Sequence, residues 1–432
     1  MDQDPATLKA VMTSGKGRLD SIDLLRGLVM VIMALDHVRD FFHSAFLSKP
    51  PIDPVDLQHT TPVLFLTRWI THFCAPTFVF LAGTGAFLFG ARGRTRGQLS
   101  WFLLTRGLWL VLLDVTLVRL GWNFNLDYSK EFGGGVIWAI GWSMAVMSAL
   151  VFLPTSAVAA IGVLLIAFHN LLDSLSARQV GLPELLWMVL HSPNKLLLFS
   201  KFDVGGVTIP GIHFVTGYSL LPWLGVMAAG YGLGALFLLE RTERRKQLLG
   251  LGIALCALFV ILRAFNGYGD SVSADPVARS NPGRFPGPWS VQENGWLTLF
   301  SFLNCQKYPP SLLFVLMTLG PAIIALALFD RDQGRVGRFF VTFGRAPLFY
   351  YLIHIPLIHG LMVAADYVRY GSSPYATEAP WTIGSKQLPQ GYGYDLPVIY
   401  LVWLGVVLVL YPLCRWFAGV KQRSGRAWLS YF

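Results

Sequence analysis

The sequence predicts an all-α fold, a polytopic bundle of about ten transmembrane helices. Three observations carry this. Of 432 residues, 54% are hydrophobic and only 13% charged, whereas soluble domains run near 25% charged. Apolar stretches of about 20 residues, enough to cross a bilayer, recur along the chain. Lys and Arg gather in alternate short loops, as cytoplasmic connections do. Residues 21–420 are expected to form one membrane domain, flanked by a polar segment (1–20) and a tail (421–432), both termini cytoplasmic. Residues 1–17 lack the apolar core of a cleavable signal.

The first span, 22–44, is apolar over Leu24–Leu35 apart from Arg26, then turns ionisable over Asp36–His43. The second, 66–90, carries His72 and then Pro76, whose missing N–H permits a kink. Its LAGTG run (Leu81–Gly85) reads as close helix packing rather than a phosphate loop. The third, 101–121, contains Asp114 and Arg119, read as an ion pair, with Asn123 and Asn125 beyond. Spans 136–153 and 155–172 meet at Pro154 in a tight hairpin. Spans 219–239 and 247–265 flank ERTERRK (Glu240–Lys246). Span 311–329 precedes DRDQGRVGR (Asp330–Arg338). Span 341–363 carries Arg345 at its inner end, then His354 and His359, one of which is expected to line a cavity. Span 397–417 leads into a basic tail.

An even count puts every basic loop on one side. The long segments Leu171–Tyr218, Asn266–Pro310 and Ala364–Leu396 then lie outside. Their Gly, Pro and aromatic content suggests ordered caps facing sugars or headgroups, over and above an aromatic belt at the lipid interface. The net charge of +10 reads as basic loops against anionic lipid, not as a nucleic-acid surface. Four scattered cysteines support neither a disulfide framework nor a metal site. No nucleotide loop, GxSxG or HExxH is present.

The chemistry concentrates in Asp36–His43, where five titratable groups occupy eight residues. Ionisable groups inside a span are costly and functional by default. At about 100° per residue, Asp36, Arg39, Asp40 and His43 share roughly a quadrant, with His37 to the side. The plainer reading, a wet helix end with Asp36 paired to Arg39, does not account for this density. His72 lies at similar depth, so a cross-helix Asp36–His72 contact is expected. Asn304, Gln306 and Lys307 could roof the site. A carboxylate orienting an imidazole makes a general base. The same groups could relay protons in a transporter.

The stretches RLDSIDLLRGLVMVIMALDHVRDFF, HFCAPTFVFLAGTGAFL, PWLGVMAAGYGLG and GRAPLFYYLIHIPLIHG together resemble the catalytic domain of heparan-alpha-glucosaminide N-acetyltransferase, in its branch of bacterial homologues. The similarity runs over most of the chain, and the last two stretches are shared with a wider group of acyltransferase-like membrane proteins. The resemblance implies transfer of acetyl from cytoplasmic acetyl-CoA to a sugar amine or hydroxyl on the far side. The lysosomal member has an Asn near the position of Asp36 and an Asp near that of His72. Its proposed catalytic His falls near Leu47, and His43 is the nearest histidine in this chain.

On this reading the catalytic candidates are Asp36, His37, His72 and His43, with His37 or His72 as base and Asp36 orienting it. Arg345, Arg106 and His354 would bind acetyl-CoA, the co-substrate. Arg39, Asp40, Asn123 and Asn304 would meet the acceptor, a glycan or glycolipid, and no metal is called for. The expected location is the inner (plasma) membrane, in contact with lipid, and self-association is left open. The alternative functions are a proton-coupled exporter of an envelope component, with Asp36 and His72 as the relay, and a non-catalytic accessory subunit.

Overall fold

The computed structural model describes residues 19–48, 52–128, 132–191, 197–198, 202–204, 207–209, 213–270, 286–374, 376–381, 388–424, 429 and 431. Helix α1 spans Asp20–Phe42, α2 Pro62–Thr71, α3 Cys74–Ala91 and α4 Arg96–Leu113. A π turn (Asp114–Val118) joins α4 to α5, Arg119–Asn123. After β1 (Phe132–Gly134) come α6 (Val136–Leu150), α7 (Thr155–Phe168), α8 (Ala177–Val180) and α9 (Glu184–Leu190). Four strands follow: β2 (Leu197–Leu198), β3 (Phe202–Val204), β4 (Val207–Ile209) and β5 (His213–Thr216). Then come α10 (Leu220–Leu233), α11 (Arg241–Phe265), α12 (Gly295–Leu303) and α13 (Leu312–Phe329). The chain closes with α14 (Arg335–Gly344), α15 (Pro347–Tyr370) and α16 (Leu396–Ser424). β5 pairs parallel with β1 and antiparallel with β2, and β3 pairs antiparallel with β4.

All ten predicted stretches contain a helix. Among the described residues, eight helical stretches are long and apolar enough to cross a membrane, and α6 is a shorter apolar helix. α1 is not among the eight, because its second half is charged. It is nevertheless the hub, packing against α2, α3, α13, α14, α15 and α16.

Two spans differ from expectation. The second is divided at His72–Phe73 into α2 and α3, because Pro76 has no N–H to offer the His72 carbonyl four residues earlier. The predicted ninth span is two helices. Ala346, preceding Pro347, leaves the helical region at φ −131°, ψ 48°, as residues before proline do. The amphipathic α14 is thereby freed to cross α1 closely. A Cβ on Gly27 would sit 1.8 Å from Phe340 O, and one on Gly344 would sit 1.8 Å from Asp23 O. In LAGTG the packing expectation holds for Gly83, where a Cβ would lie 1.9 Å from Met227 O. Gly85 faces open space.

Among the described residues, buried polar anchors hold two of the loop regions. Arg263, near the end of α11, pairs with Asp270 at 2.8 Å, each side chain 1% exposed. Its other nitrogens donate to the carbonyls of Ser301, Phe302 and Asn304. Burial pushes the Asp270 carboxyl up to about 6, against the opposing pull of Arg263. Asp270 also accepts from Gln306 N at 3.1 Å. This brace holds the turn at Lys307–Tyr308 beneath the bundle's loop cap. On the other side, Ser44 N donates to Tyr394 O and Tyr394 N to Phe42 O, fastening the loop before α16 to the end of α1. The NPGRFPGPW segment falls largely outside the described residues.

Candidate active site

A cavity of about 630 Å³ opens beside the charged end of α1. Asp36, His37, Arg39 and Asp40 line one side, with Arg68 from α2. Asn123 and Trp122 come from α5, and Lys307, Tyr308, Tyr218 and Trp381 from the loops. Trp381 packs against Trp122 with ring centroids 4.8 Å apart, so the aromatic loop residues do form part of an ordered cap.

His37 is held from behind. Its Nδ1 lies 2.7 Å from Nε2 of His354. His354 Nδ1 in turn lies 2.7 Å from Tyr351 O and 3.1 Å from Tyr350 O. A carbonyl can only accept, so His354 carries its proton on Nδ1 and its bare Nε2 accepts from His37. In the neutral pair this fixes the His37 proton on Nδ1 and leaves Nε2 with a free lone pair. The edge-on ring of Trp122, 5.0 Å from the imidazole, completes the clamp. α15 can present His354 here because its helix starts cleanly at Pro347.

Asp36 does not meet His72. Its Oδ2 accepts from Arg68 at 2.7 Å, and its Oδ1 lies 2.9 Å from Arg39 Nη2. Arg39 Nη2 also donates to Asp40 at 2.5 Å. Arginine is the stronger partner, because a guanidinium is always charged and adds ion-pair attraction to the hydrogen bond, which a neutral imidazole does not. The expected Asp36–His72 pair is therefore replaced by an Asp36–Arg68 pair. His72 is buried at the α2–α3 break, packed on Phe314 with centroids 5.4 Å apart, its Nδ1 without a hydrogen-bond partner. It does not line the cavity.

His43 also leaves the site. α1 stops at Phe42 and His43 is extended, at φ −77°, ψ 126°, with Nδ1 accepting from Ala45 N at 3.2 Å. Neither His354 nor His359 lines the cavity, contrary to expectation for one of them. His354 backs His37, and His359 binds Gly121 O at 3.0 Å beneath Phe124. Asn123 does reach the cavity, with Nδ2 donating to Arg119 O. Asn304 is instead a brace, donating to Val55 O at 3.1 Å beside a smaller cavity of about 180 Å³. The predicted Asp114–Arg119 pair does not form. Asp114 accepts from Gly135 N at 2.9 Å, while Arg119 donates to Asn125 O and Asp127 O and stacks on Tyr128.

Of the residues proposed for the donor, Arg345 and Arg106 lie toward the opposite end of α1, while His354 backs His37 instead. Arg345 Nη2 binds Asp20 at 3.1 Å, and its Nε lies 3.9 Å from Asp23. Arg26 joins them through Asp23 at 3.2 Å and Gly344 O at 3.3 Å. Arg106 is nearby on α4, over the Phe102 ring. Arg26 stood out in the sequence as the one charge in an apolar run, but its role did not.

Among the cavity members that the sequence did not assign to it are Arg68, Tyr218 and Tyr308. Arg68 sits only two turns inside α2, and nothing local marks its partner on α1. Burial raises the Tyr308 phenol, but Lys307, Arg68 and the hydrogen bond with Tyr218 hold it below the usual tyrosine value. Among the described residues, no group of three His, Cys, Asp or Glu is placed to hold a metal ion.

No curated protein matches the chain. Residues 18–261, more than half of it, match the family described as heparan-alpha-glucosaminide N-acetyltransferase, catalytic. The match covers α1 with Asp36 and His37, and α2 with Arg68; His354 and Lys307 lie beyond it. An ionisable α1 inside a helical membrane bundle and this match agree: the chain belongs to the heparan-alpha-glucosaminide N-acetyltransferase catalytic-domain family, a family of membrane acetyltransferases.

Proposed function

We propose that this protein transfers an acetyl group from cytoplasmic acetyl-CoA to an amine or hydroxyl of a glycan or glycolipid on the outer side of the inner membrane. Both termini and the Arg26–Arg106–Arg345 cluster would then face the cytoplasm, with guanidinium groups meeting the CoA phosphates. The supporting observation is the His37–His354 hydrogen bond of 2.7 Å, which leaves His37 Nε2 as the available base in a largely buried cavity. His37 takes the proton of the attacking hydroxyl or amine as the new C–O or C–N bond forms. Collapse of the tetrahedral intermediate breaks the C–S bond, and the CoA thiolate leaves and takes the proton from His37, which restores the base. Asp36, which lines the same cavity, stabilises the imidazolium.

A positioned base contributes typically 10²–10⁴-fold. In detergent, with acetyl-CoA and a membrane lipid and glycan extract as the acceptor source, His37→Ala should lose about a hundredfold or more in thiol release. His72→Ala should keep most of its activity. An active His37→Ala variant removes the base. A silent wild-type protein removes the enzyme and favours the proton-coupled exporter, which needs a gradient that detergent abolishes.

A further inference from the structure

Lys307 is nine-tenths buried, at 8% exposure, and lines the large cavity with His37, Asp36 and Arg68. Among the described residues no carboxylate oxygen lies within 4.0 Å of its ammonium. Its partner is Tyr308, through a side-chain hydrogen bond and a ring 5.2 Å away. Lysines are almost never buried unless paired, because desolvating an ammonium is costly. The carboxylates nearby are engaged elsewhere: Asp36 with Arg68 and Arg39, Asp40 with Arg39, while Asp53 accepts from Val55 N at 3.1 Å. Arg39, Arg68 and Lys307 thus gather beside Asp36 and Asp40, with Asp53, Asp114 and Arg119 also lining the cavity. The ammonium is also held in place, on a turn fastened by Gln306 N to Asp270 and by Arg263 to Asn304 O. It sits close enough to Asp36 and His37 for its charge to act on both. A rigid, desolvated cation without a carboxylate partner, beside a base, is placed to meet a negative charge that exists only transiently.

We propose that Lys307 is a catalytic residue that stabilises the oxyanion of the tetrahedral intermediate in acyl transfer. The inference rests on the acyltransferase reading above. When the nucleophile adds to the thioester carbonyl, the carbonyl π electrons move to oxygen and the nucleophile's proton moves to His37 Nε2. Lys307 donates a hydrogen bond to that oxygen without giving up its proton. The C–S bond then breaks, the carbonyl re-forms, and the thiolate takes the proton from His37. Preorganised donors of this kind stabilise the transition state more than the ground state, and losing one costs about 10²–10³ in kcat.

The test uses the full-length protein in detergent, with acetyl-CoA as donor and water as acceptor, read by thiol release. Wild-type turnover comes first; its absence removes the acyltransferase reading and this inference with it. With wild-type turnover in hand, Lys307→Met should lower kcat about 100- to 1,000-fold and leave the KM for acetyl-CoA within about twofold. Lys307→Arg, which keeps the cation, should recover at least about tenfold over Lys307→Met. CoA-induced thermal stabilisation reports whether each variant is folded, and Lys307→Gln replaces Lys307→Met if the latter is not. A folded Lys307→Met or Lys307→Gln variant with near-wild-type kcat overturns the inference. So does a raised KM at unchanged kcat, which would make Lys307 a substrate-binding residue, or a Lys307→Arg variant no better than Lys307→Met.

Discussion

Asp36 is an electrostatic keystone before it is a partner for any histidine. It accepts from Arg68 at 2.7 Å and faces Arg39 at 2.9 Å, with its own side chain 14% exposed. Removing one partner of a buried ion pair leaves an uncompensated charge and costs about 3–5 kcal/mol. Asp36→Asn should therefore lower folding stability by about 3 kcal/mol, seen as a fall in thermal midpoint in detergent even without substrate. An unchanged midpoint with lost turnover would mean that Asp36 acts on the chemistry alone. Sequence reasoning found the right helix and four of the cavity's residues on it: Asp36, His37, Arg39 and Asp40. It misassigned the partners, because helical periodicity says which residues share a face and not which neighbour arrives opposite. Arg68 competes with His72 for Asp36 and wins on charge. His37, off the shared quadrant, faces α15 and so finds His354, which lies more than 300 positions away in the chain.

At the scale of elements, the positions of the helices were legible from apolar length, and the breaks were not. Each break follows from a proline whose effect falls a few residues upstream: Pro76 ends α2 before His72, and Pro347 separates α14 from α15. The α1–α14 crossing could not be read from the sequence, since a glycine in an apolar run does not name its partner. The backbones there are in contact, with a Gly27 Cβ projected 1.8 Å from Phe340 O. No side chain fits without moving α14. Gly27→Val should displace α14 and with it Arg345, reducing monodisperse protein in detergent and raising hydrogen exchange in α14. A well-folded Gly27→Val variant with protected α14 amides would show that the crossing tolerates repacking. Gly85→Ala, facing open space, is the matched control and should be neutral.

For the whole molecule, orientation remains the proposal on which the two substrate sides depend. A cysteine placed at Ser174 should react with an impermeant thiol reagent added from outside, and one at Ser424 should not. The reverse pattern would exchange the donor and acceptor faces. The bundle also has an arrangement that hydropathy alone would not suggest, since its most central helix is one of its least apolar. α1 carries Arg26, Asp36, Arg39 and Asp40, and six other helices surround it. This has a consequence for biosynthesis. Each Asp or Arg near the centre of an isolated helix opposes insertion by about 2.5–3.5 kcal/mol on translocon scales. α1 emerges from the ribosome ahead of α2 and α15, before Arg68 can pair with Asp36 and before His354 can arrive. Stable integration of α1 should therefore wait for its later neighbours. In a cell-free translation with microsomes or inverted membrane vesicles, residues 1–60 alone should insert poorly. Truncations ending after α3, which supply Arg68, should rescue part of the integration, and those reaching α15 should rescue more. Efficient insertion of the short fragment would show that α1 tolerates its charges in lipid without its partners.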